Sequence, residues 1–189
     1  MADTNKVKLG LKNCYYAKAT ITAGVISYAT PVALPGAVSL SMDAQGGDQE
    51  NFYADDIIYF VGAGTNGGYQ GDLTLAYIPD DFRKDILGDT VDNNGILVEK
   101  ANQTSAPFAL LFEFTGDKNQ TRHVLYNCTA ARPAVASQTK EEVAKPITEV
   151  VTITAIPTPT DGYVKAKADS AATNWASWFT TVQAPAYSL

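Results

Sequence analysis

Histidine occurs once in these 189 residues, at His123, and cysteine twice, at Cys14 and Cys128. Two cysteines are too few for a disulfide scaffold. With no C-x-x-C and no zinc spacing between them, they read as free thiols on strands, as in a cytosolic protein. A lone histidine could act as a general base. However, no triad can be built from the spacing and no G-x-S-x-G occurs, so a strand histidine with a structural hydrogen bond is expected. Basic residues are also scarce: 14 Lys and Arg face 20 Asp and Glu, for a net charge of −6. An acidic chain without a basic run is a poor candidate for holding nucleic acid. Runs of 18 apolar residues are missing, so no membrane-spanning helix is expected. The first residues lack the apolar core and cleavage site of a signal peptide. Without secretion, the acceptor-like triplets at Asn102, Asn119 and Asn127 read as chance.

A hydrophobic content of 46% is enough to build a core, which excludes disorder of the whole chain. The length suits one domain. The most informative stretch is 69–88, YQGDLTLAYIPDDFRKDILG, where the hydrophobic period changes. Leu73, Leu75 and Tyr77 alternate with Asp72, Thr74 and Ala76, as in a half-buried strand. Pro79 then fixes φ, and Asp80 and Asp81 place negative charge at a helix N-terminus. Phe82 and Ile86 share one helical face, and Gly88 is placed to end the helix. A helix of roughly nine residues needs packing to persist, so it is expected to brace a sheet.

Strand patterns dominate elsewhere. Val7, Leu9 and Leu11 suggest a first strand, followed by an apolar stretch over 15–22. Val38, Leu40 and Met42 alternate cleanly with Ser39, Ser41 and Asp43. The polar stretch 44–51, AQGGDQEN, is expected to protrude as a loop. Residues 52–61 read as a strand with both faces apolar. Residues 108–114 are almost continuously apolar, and a turn at 116–120 leads into a strand at 121–128. A long loop covers 130–146, with capping-box spacing at 139–142. Strands follow at 148–156 and near Tyr163. The Ala-rich end, with Trp175 and Trp178, reads as a short helix or an arm. Short strands separated by turn signals favour a sandwich or barrel.

Three constellations invite chemistry. Gly62, Gly64 and Gly67 satisfy G-x-G-x-x-G, but a strand follows them rather than a helix, so they are expected to form a glycine-rich hairpin turn. Asp55 and Asp56, as strand neighbours, would point to opposite faces and could not easily share a ligand. Asp80 and Asp81 are accounted for by the helix dipole. Ten tyrosines and two tryptophans could form a sugar-binding face, although aromatics are also ordinary strand residues. No catalytic, metal or cofactor site is expected from these patterns. Self-assembly through strand edges remains open.

The ordered succession ALPGAVSLSMDAQG (33–46), FYADDIIYF (52–60), GYQGDLTLAYIPDDFRKDILG (68–88), PFALLFEFTGDKNQTRHVLYNCTAARP (107–133) and TEVVTITAIP (148–157) resembles one family over about residues 6–167. That family is the major tail protein, or tail-tube protein, of long flexible-tailed bacteriophages of Gram-positive bacteria. The resemblance implies a mainly β fold: a β-sandwich or partly closed barrel with one short flanking α-helix, similar to the tube protein of type VI secretion. It implies one tail-tube domain over 1–189, with flexible arms at about 1–6 and 169–189 and a protruding loop at about 44–51.

The implied role is structural, without catalysis or cofactor. Six copies would form a ring, and stacked rings would form the channel through which DNA passes. Implied partners are further copies of the chain and other tail proteins (tape measure, tail terminator, distal tail protein), in a virion assembled in the host cytoplasm. Inter-subunit contacts would come from Gln45, Gly46, Gly47, Asp48, Gln49 and Glu50 and from Trp175 and Trp178. Ser39, Ser41 and Thr74 would face the channel. Six copies carry roughly −36, a charge that repels phosphate and suits a conduit. The rival expectation is a monomeric β-sandwich that binds carbohydrate or a receptor.

Overall fold

The structure, a computed structural model, describes residues 9–116, 119–139 and 146–186. Val7, the 1–6 arm, the centre of the 116–120 turn, most of the 139–142 capping box and the last three residues lie outside it. Among the described residues thirteen strands follow in order: β1 (Leu11–Thr22), β2 (Val25–Tyr28), β3 (Val32–Ala33), β4 (Ala37–Gln45), β5 (Asn51–Ala54), β6 (Ile57–Val61), β7 (Gly68–Leu75), β8 (Thr90–Val91), β9 (Leu97–Val98), β10 (Phe108–Phe114), β11 (Arg122–Ala130), β12 (Glu149–Ala155) and β13 (Lys165–Ala168). One helical segment, α1 (Asp80–Phe82), widens into a π-helical turn over Arg83–Leu87.

The main sheet runs β2-β1-β10-β11-β12-β7-β4, with β13 added to β11 and β3 to β1. Strand β11 changes partner along its length. Arg122–Leu125 pair with β13, whereas Cys128–Ala130 pair with β12. The antiparallel sheets are not closed into a barrel, and of the two expected forms the β-sandwich is the one observed.

Alternation explains why β10 reads as continuously apolar: it is buried on both faces. Phe108, Leu110 and Phe112 enter the principal core with Tyr16, Leu125 and Cys128, opposite Leu73, Leu75, Val151 and Ile153 of β7 and β12. Ala109 and Leu111 point the other way, into a second cluster with Ala17, Val124, Tyr126 and Trp178. Each face therefore buries the apolar half of a period-2 pattern.

The helix expected over 80–87 is present, and it braces the principal core. Pro79 is the extended residue before it, Asp80 and Asp81 occupy the first turn, and Gly88 ends it at φ 88°. Its second half is not regular α-helix. The Gly88 N–H returns to the Arg83 carbonyl, closing a wider turn, and Ile86 and Leu87 are both buried there. Phe82 packs edge-on against Tyr16 and Phe108, with ring centres 5.1 and 5.7 Å away. The Tyr16 hydroxyl donates to Asp85 at 2.9 Å. Glu149 at the start of β12 accepts from the Ile78 N–H at 2.6 Å and from Arg83 at 3.4 Å, which ties the helix entry to the sheet.

Burial pushes the Cys14 and Cys128 thiols up to about 12 from 9.0. It raises the Tyr28 phenol as well, and burial together with the Asp85 hydrogen bond raises Tyr16. Folding thus holds all four neutral more strongly than the unfolded chain does. Their contribution is complete below the unfolded thiol value of 9.0 and is lost as pH rises through the folded values. The urea midpoint is expected to stay level between about pH 7 and 8.5 and to fall steadily above about pH 9.5. A midpoint still level at about pH 11 would contradict this.

Candidate functional site: an apolar arm and a polar sheet face

Of the polar stretch 44–51, Ala44 and Gln45 still belong to β4 and Asn51 to β5, and the residues between them are the outgoing limb of a longer arm. Strands β4 and β7 pair as far as Gln45 and Gly68, and the chain continues outward as a two-stranded ribbon. Gly67 N–H donates to the Gln45 carbonyl at 2.7 Å, Thr65 to Gly47 at 3.2 Å and Gly62 to Glu50 at 2.7 Å. Strands β5 and β6 complete the ribbon. Ten residues separate Gln45 from the tip, a reach of about 30 Å in extended chain.

Two sequence expectations are corrected here. Asp55 and Asp56 are not strand neighbours. Both have positive φ, 51° and 60°, and they form the two-residue loop at the tip, the conformation that a tight hairpin with right-handed strand twist requires. Aspartate tolerates this region better than most residues. Gly62, Gly64 and Gly67 do not form the turn either; they lie on the returning limb. A Cβ on Gly46 would sit 1.8 Å from the Thr65 carbonyl oxygen, and one on Gly64 would lie 2.9 Å from the Gly47 oxygen. The glycines let the two limbs approach closely.

The strand expected over 52–61 is therefore a hairpin outside the core. Phe52, Tyr53, Ile57, Ile58, Tyr59, Phe60 and Val61 are 46–72% exposed. Phe52 faces Phe60 across the hairpin and Tyr53 faces Ile58, with a register shift between the two pairs. Among the described residues nothing covers either face. One signal for this was present in the sequence: two aspartates in the middle of an apolar run, flanked by polar and glycine-rich stretches of similar length.

At the base of the arm lies the outer face of β4, β7 and β12. Ser39 pairs with Thr74, and Ser41 with Asp72; Thr152 and Thr154 continue the rows on β12 beside Asp72 and Gln70. Thr152 donates to Asp72 at 2.7 Å. Ser39, Ser41 and Thr74 thus share one surface, as their alternation implied, with Asp43 and Asp72 as its charges. The whole of residues 19–82 contains no Lys or Arg, and neither does β12.

Of the expected contact residues, Gln45, Gly46, Gly47, Asp48, Gln49 and Glu50 are exposed at the stem of the arm. Trp175 and Trp178 are placed differently. Residues 169–186 do not extend as an arm but pack over the second core cluster. Trp178 is only 4% exposed, and its indole donates to the His123 carbonyl at 3.3 Å. The Arg122 guanidinium lies 3.6 Å from the centre of the Trp175 ring and 4.6 Å from that of Phe179. It also donates to the Trp175 carbonyl and to Glu113, a carboxylate itself buried beside Lys12 and Asn13. Phe179 stacks on Tyr15, and the Tyr126 hydroxyl donates to the Gln183 carbonyl at 2.8 Å. Local composition could not reveal this docking, because the aromatics concerned meet partners about 50 residues or more away in sequence. His123 itself lies with its ring 5.2 Å from each of Phe112 and Phe114.

Among the described residues no group of three His, Cys, Asp or Glu side chains is placed to hold a metal ion, and no helix is long and apolar enough to cross a membrane. No curated protein matches the chain. The sequence profile of the phage tail tube protein family does, from residue 3 to residue 189. With that match across nearly the whole chain, joined to a β-sandwich with one short helix, the chain belongs to the phage tail tube proteins and is a structural subunit of a phage tail.

Proposed function

We infer that the chain, as one tail-tube domain, self-assembles into hexameric rings stacked as a tube through which DNA passes into the host. The observation that carries this reading is the uncovered arm: a ribbon bearing seven large apolar side chains that its own chain leaves in solvent. Isolated apolar residues on a surface need no explanation, but a contiguous patch of this size marks an interaction surface. In a tail tube protein the natural cover is another copy of the same chain.

The outer face of β4, β7 and β12 suits the channel wall. Its hydroxyls and amide keep it wetted, and Asp43 and Asp72 repel phosphate. With no cation on it, the face offers no site for the counterion-releasing contacts that would hold DNA. The role is one of form rather than catalysis, carried out in the virion tail after assembly in the host cytoplasm with the other tail proteins.

Sedimentation with electron microscopy of the purified protein tests the reading. Hollow rings or tubes are expected to appear as concentration rises. A species that stays monomeric at high concentration across a range of salt would reject it.

A further inference from the structure

We propose that Asn94 is a site of spontaneous self-modification, losing its side-chain amide to leave a carboxylate, and that Asp92 sets the rate of the change. The chemistry is that of asparagine followed by glycine. The main-chain nitrogen of the glycine attacks the asparagine Cγ. An N–Cγ bond forms, the Cγ–Nδ2 bond breaks, and the amide nitrogen leaves as ammonia, carrying the proton that the glycine nitrogen gave up. Water then opens the five-membered imide at either carbonyl. The products are aspartate and its isomer, in which the backbone runs through the side chain. No oxidant or reductant enters. Glycine favours the attack because no Cβ shields its nitrogen and its backbone turns freely.

Asn-Gly occurs twice in the chain, at Asn66–Gly67 and Asn94–Gly95, and the fold treats the two differently. Asn66 lies where the ribbon joins the sheet. The Gly67 N–H donates to the Gln45 carbonyl at 2.7 Å, and Asn66 Oδ1 accepts from the Gly68 N–H at 3.0 Å. A Cβ on Gly67 would sit 3.2 Å from that same Gln45 oxygen. Ring closure there has to part the two limbs at the end of the β4–β7 ladder. Asn94 sits instead between β8 and β9, strands of two residues each that form a sheet of their own. Residues 92–96 are all exposed. Gly95 has φ 84°, and a Cβ built on it would meet nothing within 4 Å. Its N–H makes a local turn bond to the Asp92 carbonyl at 3.1 Å. A ribbon this short is marginal by itself, so the loop opens without parting the main sheet.

What restrains Asn94 is Asp92. One carboxylate oxygen accepts from the N–H groups of Asn94 and Ile96, both at 2.8 Å, and the other accepts from the Asn94 side-chain amide at 3.3 Å. The Ile96 N–H, with help from Asn94, holds the Asp92 carboxyl below the usual carboxylate range, so it is ionised at neutral pH. Two effects follow. The amide is tethered toward Asp92 and has to leave it before Cγ comes within about 3–3.5 Å of the Gly95 nitrogen. The carboxylate also opposes loss of the Gly95 proton, because the nitrogen would become anionic beside a negative charge. Each conversion adds one negative charge to the −6 of the chain.

The test follows the purified full-length protein through storage at neutral and mildly alkaline pH, folded and in urea. Trypsin releases residues 85–100 in one piece, since no Lys or Arg lies between Lys84 and Lys100, and chymotrypsin cuts after Phe60 and Tyr69 to free Asn66. Mass spectrometry reads conversion of amide to acid at each asparagine, and isoaspartate-specific methylation reads the isomer. In the folded protein Asn94 is expected to convert at least about ten-fold faster than Asn66, the factor carried by one backbone hydrogen bond. In urea the two should react at similar rates, both faster than folded Asn94. Asp92→Ala should speed conversion at folded Asn94 by about ten-fold, and Asp92→Asn, which keeps an oxygen for the two N–H bonds, should fall between.

Equal rates at the two sites in the folded protein, or a faster Asn66, would overturn the assignment of Asn94. An unchanged rate in Asp92→Ala would overturn the role of Asp92. If that variant melts early, the parent decides: an Asn94 that converts as fast folded as in urea is restrained by nothing, and the role of Asp92 falls.

Discussion

Replacing residues 46–67 by Asn-Gly, so that Gln45 and Gly68 are joined by a tight turn, is expected to give a folded chain that no longer assembles. The assembled fraction in sedimentation should fall at least ten-fold, while the thermal midpoint moves by no more than about 3 °C. The argument is one of separation. The large side chains of the hairpin are 46–72% exposed and contribute little to the fold. The pairing of β4 with β7 continues to Gln45 and Gly68, so the sheet retains its full register below the cut. Asn-Gly supplies the two positive-φ residues that such a short connection needs, and a shorter loop costs less closure entropy. Normal tubes formed by the armless chain would show that ring and stack contacts lie elsewhere. Loss of folding would show instead that the arm organises β4 and β7.

Phe82→Ala is expected to have the largest effect on stability, about 3–5 kcal/mol. Phe82 is fully buried, and it is the residue through which the helical segment meets the sheet, edge-on to Tyr16 and Phe108. Truncation removes both aromatic contacts and leaves a cavity that the surrounding strands, fixed by their ladders, cannot easily close. For a chain of this length the melting temperature should drop by about 6–20 °C. Calorimetry or urea titration gives the number directly, and a loss below about 1 kcal/mol would mean that the helix is not a brace. Assembly should persist below the new midpoint, because the residue is remote from the arm in sequence and buried in the body.

Local periodicity captured those elements whose surroundings follow from their own pattern. The alternation in β4 and β7 placed Ser39, Ser41 and Thr74 on one face, and their register places them side by side. The period change at 69–88 located the helix and its ending glycine, although not its π-helical second half. That half depends on how Ile86 and Leu87 fit the core rather than on propensity. The arm escaped because a strand with two apolar faces has the same local signature whether it crosses a core or projects to meet a neighbour. Only the cover differs, and in an assembling protein the cover belongs to another molecule. Trp175 and Trp178 show the converse: aromatics in a polar, Ala-rich tail looked free, yet Arg122, itself held by Glu113, lies over Trp175, and the His123 carbonyl of β11 accepts from Trp178.

The arm is not hung from the body by a loose tether. The strands that carry Ser41 and Asp72 in the sheet are the strands that leave it as the two limbs of the ribbon. Between the β5–β6 hairpin and the sheet, residues 46–50 and 62–67 lie outside any strand but are tied to each other and to Gln45 by backbone hydrogen bonds, so a torque applied at the tip reaches β4 and β7 through those bonds. On the proposed reading, in which these strands line the bore of a stacked tube, a bend between rings would be felt as a twist of them. The curvature of the filament and the shape of its lumen become coupled properties of one elastic element.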